Sequence, residues 1–123
     1  HIYLDEGSIA KGLGGFIQFN FARPENVDGF IQENLTLWKP YFEKTMDSMG
    51  MVNWGVGRKL APLGANWAKV STWDMFNTLE DLMKYRIGYK LPADLLKKSK
   101  MKDHNPDGFM MTPIFQMIAN SAQ

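Results

Sequence analysis

"NWAKVSTWDMFNTLEDLMKY", residues 66–85, reads as a strand that runs directly into a helix. In a strand, successive side chains point to opposite faces. Val70 therefore projects to one side, and Lys69, Ser71 and Trp73 to the other, over a strand expected at 66–76. Thr78 stands where a helix cap is needed, and Asp81 follows three residues on in a variant of the capping box. Leu79, Leu82, Met83 and Ile87 then give an apolar stripe at helical spacing, and Gly88 ends the helix.

Working outward, "MVNWGVGRKL" (51–60) also alternates, with Val52, Trp54 and Val56 on one face. Pro62 and Gly64 mark a turn, so 51–76 reads as a hairpin with a loop of roughly five residues. Further upstream, "FIQFNF" (16–21) sets Ile17, Phe19 and Phe21 against Gln18 and Asn20, the pattern of a half-buried strand. Pro24 stops it. From Val27 to Met49 apolar residues recur at helical spacing over about six turns. Pro40 lies inside this run and is expected to kink or split it near Leu37, because it removes a backbone donor and crowds the preceding turn. Downstream, Pro92 opens a short helix at about 92–101. "HNPDGF" (104–109) is a turn-rich connection, and "TPIFQMIANS" supplies a last strand with Phe115, Met117 and Ala119 on one face.

The resulting order is strand, helix, strand, strand, helix, strand. That is the ferredoxin-like βαββαβ arrangement of the α+β class: a four-stranded antiparallel sheet with helices on one face. Residues 1–14 are set aside as a leader or flexible N-terminus, and 15–123 are expected to form a single domain. Ile17, Phe19, Phe21, Val52, Trp54, Val56, Val70, Phe115 and Met117 are expected to face the helices. Gln18, Asn20, Asn53, Lys69, Ser71, Trp73 and Gln116 are expected on the opposite face, a mixture of amides and tryptophan that suits a subunit interface.

Composition removes several functional classes. The 14 basic and 13 acidic residues leave a net charge of +1, without the clustered positive charge that nucleic acid demands. Lys97, Lys98, Lys100 and Lys102 are flanked by Asp94, Asp103 and Asp107, so they read as a solvated face. No apolar run approaches the ~20 residues that span a bilayer. With no cysteine, thiolate metal sites, thiol nucleophiles and disulfides are all excluded, which suits a cytoplasmic protein.

"FNTLEDLMKY" (76–85) resembles the strand-to-helix junction of the dimeric α/β-barrel superfamily, which includes stress-responsive A/B-barrel, NIPSNAP-like and antibiotic-biosynthesis-monooxygenase-like proteins. "NWGVG" (53–57) is similar to the second strand of such proteins. The resemblance spans roughly residues 15–120 and implies a homodimer closed through the sheet face. It also implies a ligand site between sheet and helices, which nominates Trp38, Tyr41, Trp54 and Tyr85, together with Phe19. Such rings suit a small apolar or aromatic ligand, and the same rings suit a core. Tyr85 falls where some members carry an active-site Tyr.

The enzymatic patterns within that superfamily are incomplete here. Positions where some members carry catalytic His are occupied by about Gly15 and Leu91. Asn20 and Trp73 match part of the haem-degrading pattern, but the second helix has no His to ligate iron. No cofactor and no metal site is therefore expected. His104 between Asp103 and Asp107 reads as turn chemistry. "GVGRK" (55–59) lacks the rest of a phosphate-loop signature and reads as a strand with small residues at a close approach. Asn34-Leu35-Thr36 is a glycosylation sequon within a helix. Three functions follow as expectations: a homodimeric binding protein for a small apolar or aromatic molecule, a cofactor-independent monooxygenase or cyclase-like enzyme, or an interaction module with no ligand. A cavity beside Tyr85 separates the third from the others, and a group of perturbed pKa inside it favours the enzyme.

Overall fold

A computed structural model describes residues 2–61 and 66–118. The chain is α+β, with an antiparallel sheet of six strands where four were expected. The strands are β1 (Ile2–Ala10), β2 (Phe16–Ala22), β3 (Met51–Ala61), β4 (Val70–Phe76), β5 (Phe109–Met111) and β6 (Ile114–Gln116). Their order is β1-β3-β4-β2-β5, and β6 also pairs with β2. The helices are α1 (Val27–Glu33), α2 (Lys39–Met49), α3 (Leu79–Gly88), α4 (Ala93–Lys98) and α5 (Met101–His104).

Two of the strands lie where none was expected. The segment set aside as a leader contributes β1, which runs antiparallel to β3. Its register shifts at Ile2/Tyr3 and again at Asp5/Gly7, and each shift resets the alternation that marks a strand. At the other edge, the single expected strand is two short ones on β2. They are interrupted at Thr112-Pro113, where the Pro113 carbonyl still accepts from the Phe19 amide at 3.0 Å. β4 begins at Val70, not at residue 66, although Lys69 remains tied to Ala22 O and Lys59 N. The Pro62–Gly64 turn and Ala119 fall outside the described residues.

The long first helix divides, as Pro40 requires. α1 passes into a π-helical segment, Asn34–Trp38, in which the Lys39 N–H reaches back five residues to Asn34 O. α2 follows with Pro40 in its first turn, where a missing donor is tolerated. Gly50 ends it with φ 75°, a left-handed conformation that favours glycine. Thr78 caps α3 by accepting from the Asp81 N–H at 3.2 Å.

The core lies where α1, α2 and α3 meet the sheet. Phe30, Ile31, Phe42 and Met46 pack with Trp54, Val56, Val70 and Phe76. Trp54, Val56 and Val70 thus face the helices as expected, but all five facing assignments on β2 reverse, and with them Phe115. On β2, Gln18 and Asn20 are buried towards the helices, so Ile17, Phe19 and Phe21 point the other way. There Phe19 meets Phe115 and Phe21 meets Trp67. The reason is register: Gln18 lies opposite Asp74 and Asn20 opposite Thr72, so inward polar groups satisfy one another. Val52 gives its place to Met51 across a register shift on β3. On α3, Leu79 is 45% and Ile87 77% exposed; Leu82 and Met83 pack as expected, and Tyr85 completes the stripe.

On the outer face the Trp73 indole lies across Gly55 and donates from Nε1 to Asn53 Oδ1 at 3.0 Å. A methyl group at Gly55 would collide with the six-membered ring of that indole. The small residues of "GVGRK" therefore serve a close approach. Gly55→Ala is expected to cost about 1–3 kcal/mol, the usual penalty for overpacking, read from urea unfolding midpoints. Stability equal to the wild type would show that the indole moves aside freely.

Candidate functional site

A cavity of about 980 Å³ lies between the sheet and the helices. Its walls include Phe30, Trp38, Phe42 and Trp54, and β2 and β4 contribute the polar side chains Gln18, Asn20, Thr72 and Asp74. Trp38, Trp54 and Tyr85, nominated from the sequence, all line it. Tyr41 does not line it but hydrogen-bonds Tyr89 of the wall through the two hydroxyls. Burial, and then that Tyr89 hydroxyl, push Tyr41 up to about 12. Phe19 sits on the opposite sheet face.

The residue that reasoning from sequence missed is Asp74. It lies mid-strand in β4, 2% exposed, between the outward Trp73 and the core-flanking Met75. A chain of hydrogen bonds leads to it. Arg86 Nη1 donates to Gln18 Oε1 at 2.9 Å, Gln18 Nε2 donates to Asn20 Oδ1 at 2.7 Å, and Asn20 Nδ2 donates to Asp74 Oδ2 at 2.7 Å. The same Asn20 amide donates to Thr72 Oγ1 at 3.0 Å. All four residues of the chain line the cavity. The signal was present in the opening stretch: an aspartate inside a strand of large apolar residues needs a polar partner across the sheet, and Gln18 and Asn20 alternate at the matching spacing.

Burial pushes the Asp74 carboxyl up to about 7, against the opposing pull of its hydrogen bonds with Asn20 and Tyr85. Burial also raises the Tyr85 phenol well above its ordinary value, and the Asp74 charge adds to the rise. Asp74 is thus a carboxyl that changes charge near neutral pH in an apolar cavity, and Tyr85 keeps its proton. Those are the requirements for a general acid or base.

A second buried carboxylate has a structural role. Glu33 accepts from Trp38 Nε1 at 2.8 Å, from Ser99 Oγ at 2.7 Å and from the Lys100 N–H at 2.5 Å. His104 Nε2 lies 4.0 Å from it, and His104 Nδ1 is 3.4 Å from Asn26 Nδ2. Glu33 therefore fastens the α4–α5 strap, which carries cavity residues Leu96, Ser99 and Met101, to the first helix. Asn34 of the sequon is buried and donates to Phe30 O. Arg58 pairs with Asp28 at 2.8 Å and lies 3.7 Å from Glu6. Among the described residues, no group of three His, Cys, Asp or Glu side chains could hold a metal ion, and no helix is long and apolar enough to cross a membrane.

Comparison with models of known families, with curated proteins and with solved structures gives no match.

The raised Asp74 pKa has a definite sign in stability. Between about pH 4, where the unfolded carboxyl ionises, and about 7, where the folded one does, the folded state binds more proton. Stability contributed by Asp74 is then lost as pH rises through that window. Asp74→Asn lacks this titration. Its unfolding free energy relative to wild type is expected to gain a few kcal/mol from pH 4 to pH 7 and then level off. A difference that stays flat across the window would mean that Asp74 ionises like an exposed carboxyl.

Proposed function

We propose that this protein is a cofactor-independent enzyme that takes a small aromatic or apolar molecule between its sheet and helices and moves a proton to or from it through Asp74. The observation that carries the reading is the placement of Asp74: a fully buried carboxyl on the wall of a cavity that also presents the rings of Phe30, Trp38, Phe42, Trp54 and Tyr85, poised near neutrality. Asn20 holds Oδ2 by donation, and the Tyr85 phenol is the carboxyl's second hydrogen-bond partner. As a base, Asp74 removes a proton from an acidic C–H or O–H of the ligand; as an acid, it returns one. Trp38 and Trp54 orient the flat body of the ligand, and the protonated Tyr85 phenol is a donor for charge that develops beside the carboxyl. Cyclase-like and monooxygenase-like reactions that start from a carbanion or phenolate both require this proton removal. The wall carries neither His nor Cys among the described residues, so its donor set suits an organic ligand better than a soft metal ion.

The strand order supports the ferredoxin-like reading. With β1 set aside, the first strand of the βαββαβ pattern, β2, lies between the third, β4, and the C-terminal strands. The outer sheet face supports a homodimer of the α/β-barrel kind. It presents Phe19, Phe21, Trp73 and Phe115, the last 52% exposed. Burying such a face against its own copy removes apolar surface from water in the way two-fold interfaces do.

Mass spectrometry of the purified protein under native and denaturing conditions is expected to reveal a carried small molecule, which then serves to find the substrate. Asp74→Asn should retain binding and lose turnover by about 10²–10⁴, the usual worth of a positioned acid or base. Tyr85→Phe should weaken binding by about 0.5–1.5 kcal/mol. An Asp74→Asn variant that turns over normally would remove the proton-transfer role and leave a binding protein.

For the dimer, Trp73→Asp places an unpaired charge in the face that is to be covered. The expected result is a shift from dimer to monomer in sedimentation. A wild-type protein that stays monomeric at high micromolar concentration would end the dimer reading.

A further inference from the structure

The cavity wall is asymmetric in charge. Its one carboxyl among the described residues is Asp74, buried at the far end of the Arg86–Gln18–Asn20 chain. Its two cations, Arg86 and Lys102, are exposed residues that also line the cavity, which sets them at its rim. Neither has a carboxylate within 4.0 Å among the described residues.

Arg86 is held in place. Its Nη1 donates to Gln18 Oε1 at 2.9 Å and to Thr112 O at 2.6 Å. The second contact uses a carbonyl freed where Pro113 interrupts the edge of the sheet. Both of these partners are neutral, and they engage only one end of the guanidinium. A guanidinium has five donors in a rigid fork, so Nη2 and Nε stay available for an incoming acceptor. Lys102, on α5, adds a second positive charge to the lining.

We propose that the ligand of this cavity is an organic acid, with an aromatic or apolar body between Trp38, Phe42 and Trp54 and a carboxylate at the rim, paired with Arg86 and assisted by Lys102. The inference rests on the cavity reading above and gives it a substrate class. It also gives the ligand a direction: the carboxylate stays at the mouth, and the opposite end of the molecule reaches Asp74. Arg86 is a positioning residue, coupled to the buried carboxyl through two amides whose orientation it fixes.

The test uses matched probes, benzoate against benzamide and naphthalene carboxylate against its carboxamide, followed by tryptophan fluorescence and calorimetry. Each acid should bind at least tenfold more tightly than its amide, about 1.4 kcal/mol, and the advantage should shrink with added salt. Arg86→Gln should abolish the preference, so that each acid binds no more tightly than its amide. Lys102→Gln, on an exposed side chain, should reduce it and keeps the test open should Arg86→Gln unfold. Equal affinity for acid and amide in the wild type overturns the organic-acid assignment and leaves the cavity reading standing. Binding of none of the four probes counts against the cavity reading itself.

Discussion

Everything on the helix side of the sheet is arranged around one costly choice, the burial of the Asp74 carboxyl. A carboxyl taken out of water needs hydrogen-bond donors from the protein. Asn20 supplies one, and the amide of Asn20 is in turn oriented by Gln18, which is oriented by Arg86. Because strand side chains alternate, committing Gln18 and Asn20 to the inside commits Ile17, Phe19 and Phe21 to the outside. The aromatic outer face is thus the geometric complement of the polar floor. The cavity on one face and the aromatic surface on the other thus share one cause, the phase of β2.

That phase is what the sequence conceals. Alternation in "FIQFNF" shows a strand and separates two faces, but it does not say which of them is inward. The rule that apolar residues face the core chooses wrongly here, because it ignores the polar partners on β4. Where one face was plainly apolar, as with Trp54 and Val56, the assignment was legible. The helix division was legible too, since Pro40 lacks a donor and crowds the preceding turn, and so cannot continue a regular helix through its position. β1 was not, because two register shifts within nine residues erase its period. Of the site, three aromatic wall residues could be nominated from ring chemistry and resemblance. Asp74 could not be reached until Gln18 and Asn20 were turned round.

The wall opposite the sheet is built from pieces that have little core of their own. α4 and α5 bury no residue fully, and a helix of four to six residues is not stable alone. Their position comes instead from Glu33, which gathers a ring nitrogen, a hydroxyl and a backbone amide. The Asn26 N–H adds a second tie at His104 O, and Leu95 and Met101 pack against the core, so polar bonds and packing share the work of placing the strap.

The π-helical segment has a further consequence, for the numbering of the helix itself. Phe30, Asn34, Trp38, Phe42 and Met46 are spaced four residues apart, and all are buried. In an ideal α-helix four residues overshoot one turn by about 40°. After four such steps Met46 would stand nearly opposite Phe30, and the row would wind off the sheet. One wide turn holds one residue more than an α-turn and takes back about 100° of that drift. The first helix therefore has a counted length. Losing or gaining one residue between Asn34 and Trp38 would leave the chain helical and Phe30 in place, yet carry Phe42 and Met46 a quarter-turn or more out of the core. This is a stretch of surface-borne helix in which insertions and deletions are read as rotations.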